Sequence, residues 1–338
     1  MNGRRIELDL KYNNQNITAD IKDFVSSISF TDNLSGDADE ISLSISDREK
    51  KWTHAWIPKM GASIEASILI SADWGSANAS KRKLGYFEID QLDMDYPPMT
   101  ISIGGISIPE NSSLRGTKKT KAWEKTNLKK IAGDIAKKNG LKLYFSVQEN
   151  PEYDRIDQQS QSDVAFLYKA CSEAGLSLKI ANKSLTILDD AHLESKPVVV
   201  TLHSNDSRIK KYRGSYKQTG IYKSCKVSFT NTSKKKTYTH TFTPKNPPIT
   251  SRVLVVNEEV SSQVEAQRLA KNKLREANKD SITMALTLSG FSNLYAGQTI
   301  MLKSFGAFDG KYIITGFNGT VGSGSETSLE LRKCLEGY

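Results

Sequence analysis

Apolar and polar residues alternate through most of the first ~110 positions. Ile6, Leu8, Leu10 and Tyr12 are spaced by polar neighbours, and Ile41, Leu43 and Ile45 alternate with Ser42, Ser44 and Ser46. Ile64, Ala66, Ile68 and Ile70 repeat the pattern, as do Tyr86–Ile89 and the set Ile101, Ile103, Ile106, Ile108. A period of two places one row of side chains in a core and the other in water, which predicts strands. Gly104 and Gly105 predict a bulge or bend in the last of them. Five or six strands with no helical stretch between them predict a closed or nearly closed barrel, which hides strand edges.

The period then lengthens. Leu128, Ile131, Ala132, Ile135 and Ala136 share one helical face, and Asn139-Gly140 supplies a left-handed stop. A short strand is expected over 141–145, then a polar loop through Pro151. A second helix should start at Ser162 or Asp163 and bury Leu167, Ala170, Cys171 and Ala174. Residues 176–180 and 185–188 read as a hairpin around Asn182-Lys183. Strands return after Pro197, with Lys234-Lys235-Lys236 as a hairpin tip. One helix is expected behind the capping box Ser262-Gln263-Val264-Glu265. Four strands follow, at 282–288, 299–302, 311–317 and 328–333. The expected class is mainly β, or α+β. It comprises two tube-like β-barrel domains, 1–112 and 196–338, with an inserted small α/β module at 113–195.

The first and last domains echo each other. Gly61-Ala62-Ser63-Ile64 opens a strand and Gly85-Tyr86-Phe87-Glu88-Ile89 follows; Gly297-Gln298-Thr299-Ile300 and Gly310-Lys311-Tyr312-Ile313-Ile314 repeat that order. The echo reads either as a duplicated barrel or as chance recurrence of glycine before a strand.

Composition narrows the function. The chain has 338 residues, 38% of them hydrophobic and 25% charged, and its longest apolar runs, such as Val198-Val199-Val200, are far too short to cross a bilayer. Arg4 and Arg5 are not followed by the apolar core of a secretory signal, so assembly in the cytoplasm is expected. Cys171, Cys225 and Cys334 are too far apart for a zinc site or a disulfide framework. The net charge of +9 is concentrated between Asn111 and Lys142, where ten basic residues face only Glu124 and Asp134. That segment is either a patch for an acidic partner or the solvated face of a helix.

Candidate chemistry is sparse. His54, His192, His203 and His240 lie at no metal-ligand spacing, and no zinc-protease, phosphate-loop or nucleophile-elbow motif occurs. Asp90, Asp93 and Asp95 form an acidic cluster that reads as a solvated turn before Pro97-Pro98; Glu149, Glu152 and Asp154 around Pro151 read the same way. Trp52, Trp56 and Trp74 are either partner anchors or part of a loop folded over a barrel end.

Taken in order, these residues resemble the late control D family of phage tail proteins, which includes baseplate hubs of contractile tails and the hub portion of type VI secretion spikes. Trp56, Pro58 and Gly61 match its W-x-P-x-x-G turn, and Gly85, Phe87, Ile89 and Asp90 its G-x-F-x-I-D strand. Arg115 through Trp123 resembles its entry to the first helix. Gln159, Ser162 and Asp163, then Phe166-Leu167, match its second helix start. Glu265, Ala266 and Ala270 match E-A-x-x-x-A, and Gly297, Gly310, Tyr312 and Ile314 its closing motif.

The resemblance implies a structural hub with no cofactor, metal or catalytic residue. It implies a homotrimer presenting six barrels, which adapts a sixfold tail tube protein to a threefold, separate central spike protein. Tape-measure and baseplate wedge proteins are further expected neighbours. Membrane insertion and sequence-specific nucleic-acid binding are not implied, although DNA passes through the lumen if the particle is a phage. The expected location is the tail baseplate of a phage or tailocin particle. The alternative is a tail-associated cell-wall-binding or peptidoglycan-degrading protein, which would require a catalytic set in a cleft.

Overall fold

The computed structural model describes residues 5–71, 80–108, 113–231, 235–260, 262–322 and 324–338. Trp74, Asn111 and Lys234 lie outside the described residues. The first barrel contains β1 (Arg5–Tyr12), β2 (Gln15–Asn16), β3 (Val25–Asn33), β4 (Glu40–Ser46), β5 (Ser63–Ser71), β6 (Ser80–Asp95) and β7 (Thr100–Ile106). Their antiparallel order is β3-β4-β7-β6-β5-β1-β2. A short helix, α1 (Thr18–Ile21), interrupts them and buries Ile21. Alternation does its work here: Ile28, Phe30, Ile41, Leu43, Ile45, Ile101 and Ile103 are all buried, while the opposite face carries Ser27, Ser29, Thr31, Ser42, Ser44 and Ser102. Each such aliphatic side chain contributes about 1.5–3 kcal/mol by leaving water. The expected bulge is on the strand facing the two glycines. Ile89 pairs with Gly105 and Gln91 with Gly104, so Asp90 of β6 is the extra residue.

The middle module contains β8 (Lys119–Asn127), α2 (Leu128–Lys138), β9 (Lys142–Ser146), β10 (Glu152–Gln161), α3 (Asp163–Glu173), β11 (Leu176–Ala181), β12 (Ser184–Asp189) and α4 (Asp190–Ser195). Asn127 caps α2 by accepting from the amide of Lys130 at 2.9 Å, and Ser162 caps α3 by accepting from Ala165 at 3.2 Å. Asn182 and Lys183 both have positive φ in the β11–β12 turn, the pattern of a tight hairpin. Two expectations fail. The polar loop through Pro151 is mostly β10, and much of the basic segment before α2 is β8; the two strands pair antiparallel. Only Trp123, Tyr153 and Ile156 turn toward the core, so the apolar signal was too thin to read as strand.

The expected second barrel at 196–338 divides in two. β13 (Val200–His203) and β14 (Ile209–Tyr216) belong to the barrel. Next, β15 (Ser224–Asn231), β16 (Lys236–Phe242) and β17 (Val253–Val256) form a separate sheet, covered by α5 (Gln263–Asn278). Cys225, Val227, Tyr238, Ala266, Ala270 and Leu274 give this unit its own core. The barrel resumes with β18 (Ile282–Ser289), β19 (Thr299–Lys303), β20 (Gly310–Gly322) and β21 (Glu326–Lys333), in the order β14-β18-β21-β20-β19-β13. The α5 unit is thus inserted between β14 and β18, because its strands find partners among themselves. Buried charge locks it in place. Arg332 of β21 pairs with Asp190 at 3.1 Å and with Glu194, and Arg275 of α5 meets the same Glu194 at 2.5 Å.

Candidate functional site

The two barrels are joined by strand pairing. The first half of β20 pairs with β19, and its second half, 316–322, runs antiparallel to β3, from Gly316 opposite Asn33 to Gly322 opposite Ser27. One continuous sheet of thirteen strands results. Its core is shared: Phe30 of β3 lies 6.2 Å from Phe317 of β20, and Phe291 packs edge-on to Phe317.

Arg82 crosses this junction while only 1% exposed. Its guanidinium carbon lies 4.3 Å from the Phe317 ring centroid and 4.2 Å from that of Tyr295. Nη1 donates to the Ser292 carbonyl at 2.8 Å, and Nη2 is 3.9 Å from Asp32. Among the described residues Nε and Nη2 find no hydrogen-bond acceptor, and aromatic faces surround the guanidinium instead. Asp32 also accepts from Lys179 at 2.5 Å and from the amide of Ala296 at 3.1 Å. Lys179 reaches Asp39 at 2.8 Å, and burial pushes that carboxyl above its usual range. First barrel, second barrel and middle module therefore meet at one buried charge cluster. Nothing in the sequence singled out Arg82, Asp32 or Lys179; their charges look like any others until the strands are paired.

The barrels repeat each other in hydrogen-bond register. Gly85 pairs with Ala66 just past a register shift in the β5–β6 ladder, and Gly310 pairs with Leu302 where the β19–β20 ladder begins. Four residues on, Ile89 and Ile314 each precede a register shift, to Gln91 and Gly316 respectively. β3 and β14 match as well. β3 shifts register between Val25 and Ser27 against β4, and β14 shifts between Ile209 and Lys211 against β18. A row read across the first barrel is Ser29, Ser42, Gly104, Gln91; the corresponding row of the second is Arg213, Ala285, Glu330, Gly316.

The residues picked out by motif scatter over this frame. Trp56 is 43% exposed and packs edge-on to Trp52 and Phe24 in a loop over one end of the first barrel, with Pro58 and Gly61 following. Leu10, Leu43, Ile45, Ile64, Trp52, Trp56 and Pro58 line an apolar cavity of about 440 Å³ there. Phe87 and Tyr312 are fully buried, and the Tyr312 hydroxyl donates to the Phe308 carbonyl at 2.8 Å. Trp123 is buried on β8 with Lys121 over its ring. Gln159 is exposed; its neighbour Gln158 is the buried one, donating to Asp163 at 3.0 Å, and Asp163 also pairs with Lys119. Glu265 opens α5 through its amide, which donates to Ser262 Oγ at 3.1 Å, and Ala266 is buried beneath it. Asp90, Asp93 and Asp95 are on β6 itself and not in the turn after it.

Among the described residues no group of three or more His, Cys, Asp or Glu side chains could hold a metal. Burial pushes the thiols of Cys171 and Cys334 up to about 12 and that of Cys225 to about 11, so none is a thiolate near neutrality. The exposed lysines of α2 (Lys129, Lys130, Lys137, Lys138) face water.

This arrangement of two joined barrels is the fold of phage-type tail proteins. A tail protein from Neisseria meningitidis MC58 superposes with a TM-score of 0.72 at 13% identity, over 98% of this chain and 97% of that one. An Escherichia coli component of the type VI secretion system gives 0.58 at 12% identity, over 99% of this chain and 78% of that one. The chain also has a named homologue: it is 27% identical over 205 residues to a probable baseplate hub protein of Escherichia phage 186. That alignment covers 58% of this chain and 49% of the relative, so the match spans about half of the relative's length. No family model matches. The chain thus has the fold of these tail proteins and a probable baseplate hub protein among its relatives, in line with its motifs.

Proposed function

We propose that this protein is the hub of a tail baseplate, in which three copies surround a lumen and present six barrels. Such a ring offers sixfold contacts to a tail tube on one face and threefold contacts to a central spike on the other. The observation that carries the reading is the match in register between the barrels. Equivalent bulges, equivalent glycines and equivalent strand order are what quasi-sixfold packing of one chain requires. The domain scheme 1–112, 113–195 and 196–338, with the α5 unit inside the last, then has two ring-forming barrels and appended modules that leave the ring continuous. The motif residues, from Trp56 to Tyr312, act as structural positions within it. Tape-measure and wedge proteins are the natural neighbours, and the baseplate of a phage or tailocin, assembled in the bacterial cytoplasm, is the location. A tagged copy expressed in the source cell tests this: intact particles captured through the tag should contain tail tube and spike proteins in fixed ratio. Recovery of the tagged protein free of any tail component would contradict it.

A further inference from the structure

Among the described residues, two of the strand edges left open in the thirteen-stranded sheet are complementary. β6 pairs with β5 only through Glu88, so its second half, 91–95, has β7 on one side and nothing on the other among the described residues. β14 has β18 on one side and is likewise open on the other. Their counterparts, the second half of β20 and residues 27–33 of β3, are paired with each other. Exposure follows pairing. Ile28 and Phe30 of β3 are buried, whereas Tyr212 and Tyr216 of β14 are 54% and 60% exposed. On and beside β6, Met94 is 63% and Tyr96 81% exposed. Open edges flanked by bare aromatic side chains invite pairing.

Resting on the trimer reading above, we propose that the second half of β6 in one copy pairs antiparallel with β14 of the next, repeating the β20–β3 junction. The internal match fixes the register. Gly316 opposite Asn33 becomes Gln91 opposite the next copy's Lys217, and Thr320 opposite Ser29 becomes Asp95 opposite Arg213. The charges agree with this register. The free half of β6 and its bulge carry Asp90, Asp93 and Asp95; β14 and its end carry Lys210, Lys211, Arg213 and Lys217. Asp95 and Arg213 have no ion pair within their own chain among the described residues, and opposite charges facing each other across strands attract. Sizes agree as well. Within the chain, Gly319 of β20 faces Phe30, and a Cβ there would lie 2.4 Å from Phe291. In the proposed junction Met94 faces Gly214, where a Cβ would lie 2.7 Å from Phe308. Each junction sets a glycine against a large side chain, with the glycine on the opposite partner.

The test is a cross-link within assembled particles. Particles carrying D95C/R213C should give, on mild oxidation, a covalent ladder ending at three chains; either single variant should give monomers. D95C combined with K217C, out of register, should cross-link at least tenfold less. If the cysteine pair disturbs folding, charge exchange gives a second readout: D95R should reduce incorporation into particles and D95R/R213D should restore it. Three copies per particle with no D95C/R213C cross-link would overturn the junction and leave the hub reading standing. A ladder running to six would keep the junction and overturn the trimer. Equal cross-linking by the K217C pair would overturn the register.

Discussion

The amide of Gly61 donates to the carbonyl of Ile89 at 2.8 Å, and the amide of Gly297 donates to that of Ile314 at the same distance. The return bonds match too, from Ile89 to Ala62 and from Ile314 to Gln298, both at 2.9 Å. Both glycines have positive φ, +79 and +87. The two turns are one device used twice, and their surroundings separate them. A Cβ at position 61 meets nothing within 4 Å, whereas at 297 it meets Leu34 Cδ1 at 3.3 Å. Gly61→Ala should therefore cost about 1 kcal/mol of backbone strain, and Gly297→Ala should cost more. Urea melts of the two variants check the order.

Arg82 should be the side chain on which the barrel junction depends most. Arg82→Lys replaces a flat, delocalised cation with a compact, strongly hydrated one in a site lined by four aromatic rings. A loss of about 3–5 kcal/mol is expected by analogy with broken buried charge sites. Arg82→Met keeps the volume, and Asp32 keeps Lys179, so the loss should be smaller, roughly 1–3 kcal/mol for the unpaired Ser292 carbonyl. Denaturant unfolding of both variants tests this; a lysine variant as stable as the parent would be inconsistent with it.

Asp47 should make the tryptophan loop acid-sensitive. Burial pushes its carboxyl up, but donation from the amides of Trp52 and Thr53 and from the Thr53 hydroxyl outweighs this and holds it below the ordinary 3.8. A depressed carboxyl contributes stability that is fully present above 3.8 and is lost as pH falls through the lowered value. Tryptophan fluorescence should therefore report opening of the loop below that range, before global unfolding. Asp47→Asn should loosen the loop already at neutral pH and abolish this acid-dependent change.

Purified protein should release no soluble fragments from labelled cell walls beyond a buffer control. One relative is a probable baseplate hub protein, and the buried carboxylates Asp32, Asp39, Asp190 and Glu194 are held in ion pairs. Turnover abolished by a single acidic substitution would refute this.

Much of this fold could be read from the chain because alternation is strong wherever one strand face is buried. β1, β4, β5, β7 and the last four strands were located to within a few residues on that signal, and the helix caps Ser162 and Ser262 were found from local chemistry; β3 went unread although Ile28 and Phe30 alternate with Ser27, Ser29 and Thr31. β14 escaped because Ile-Lys-Lys-Tyr-Arg-Gly-Ser-Tyr buries almost nothing within a single chain. β8 and β10 escaped for a similar reason, and the α5 unit because its strands look like barrel strands until their partners are known. The glycine echo was visible. That it extends to bulges and hydrogen-bond register was not, since register is a property of pairs of segments and no one segment encodes it.

The central claim is that one chain supplies two equivalent places in a ring. A reconstruction of the assembled particle at a resolution that separates strands tests it most directly. The account predicts three copies, with 1–112 and the barrel strands of 196–338 alternating around the lumen and superposing in register after a rotation of about 60°, as quasi-sixfold symmetry demands. Six copies, or barrels lying at different radii that do not superpose, would contradict it.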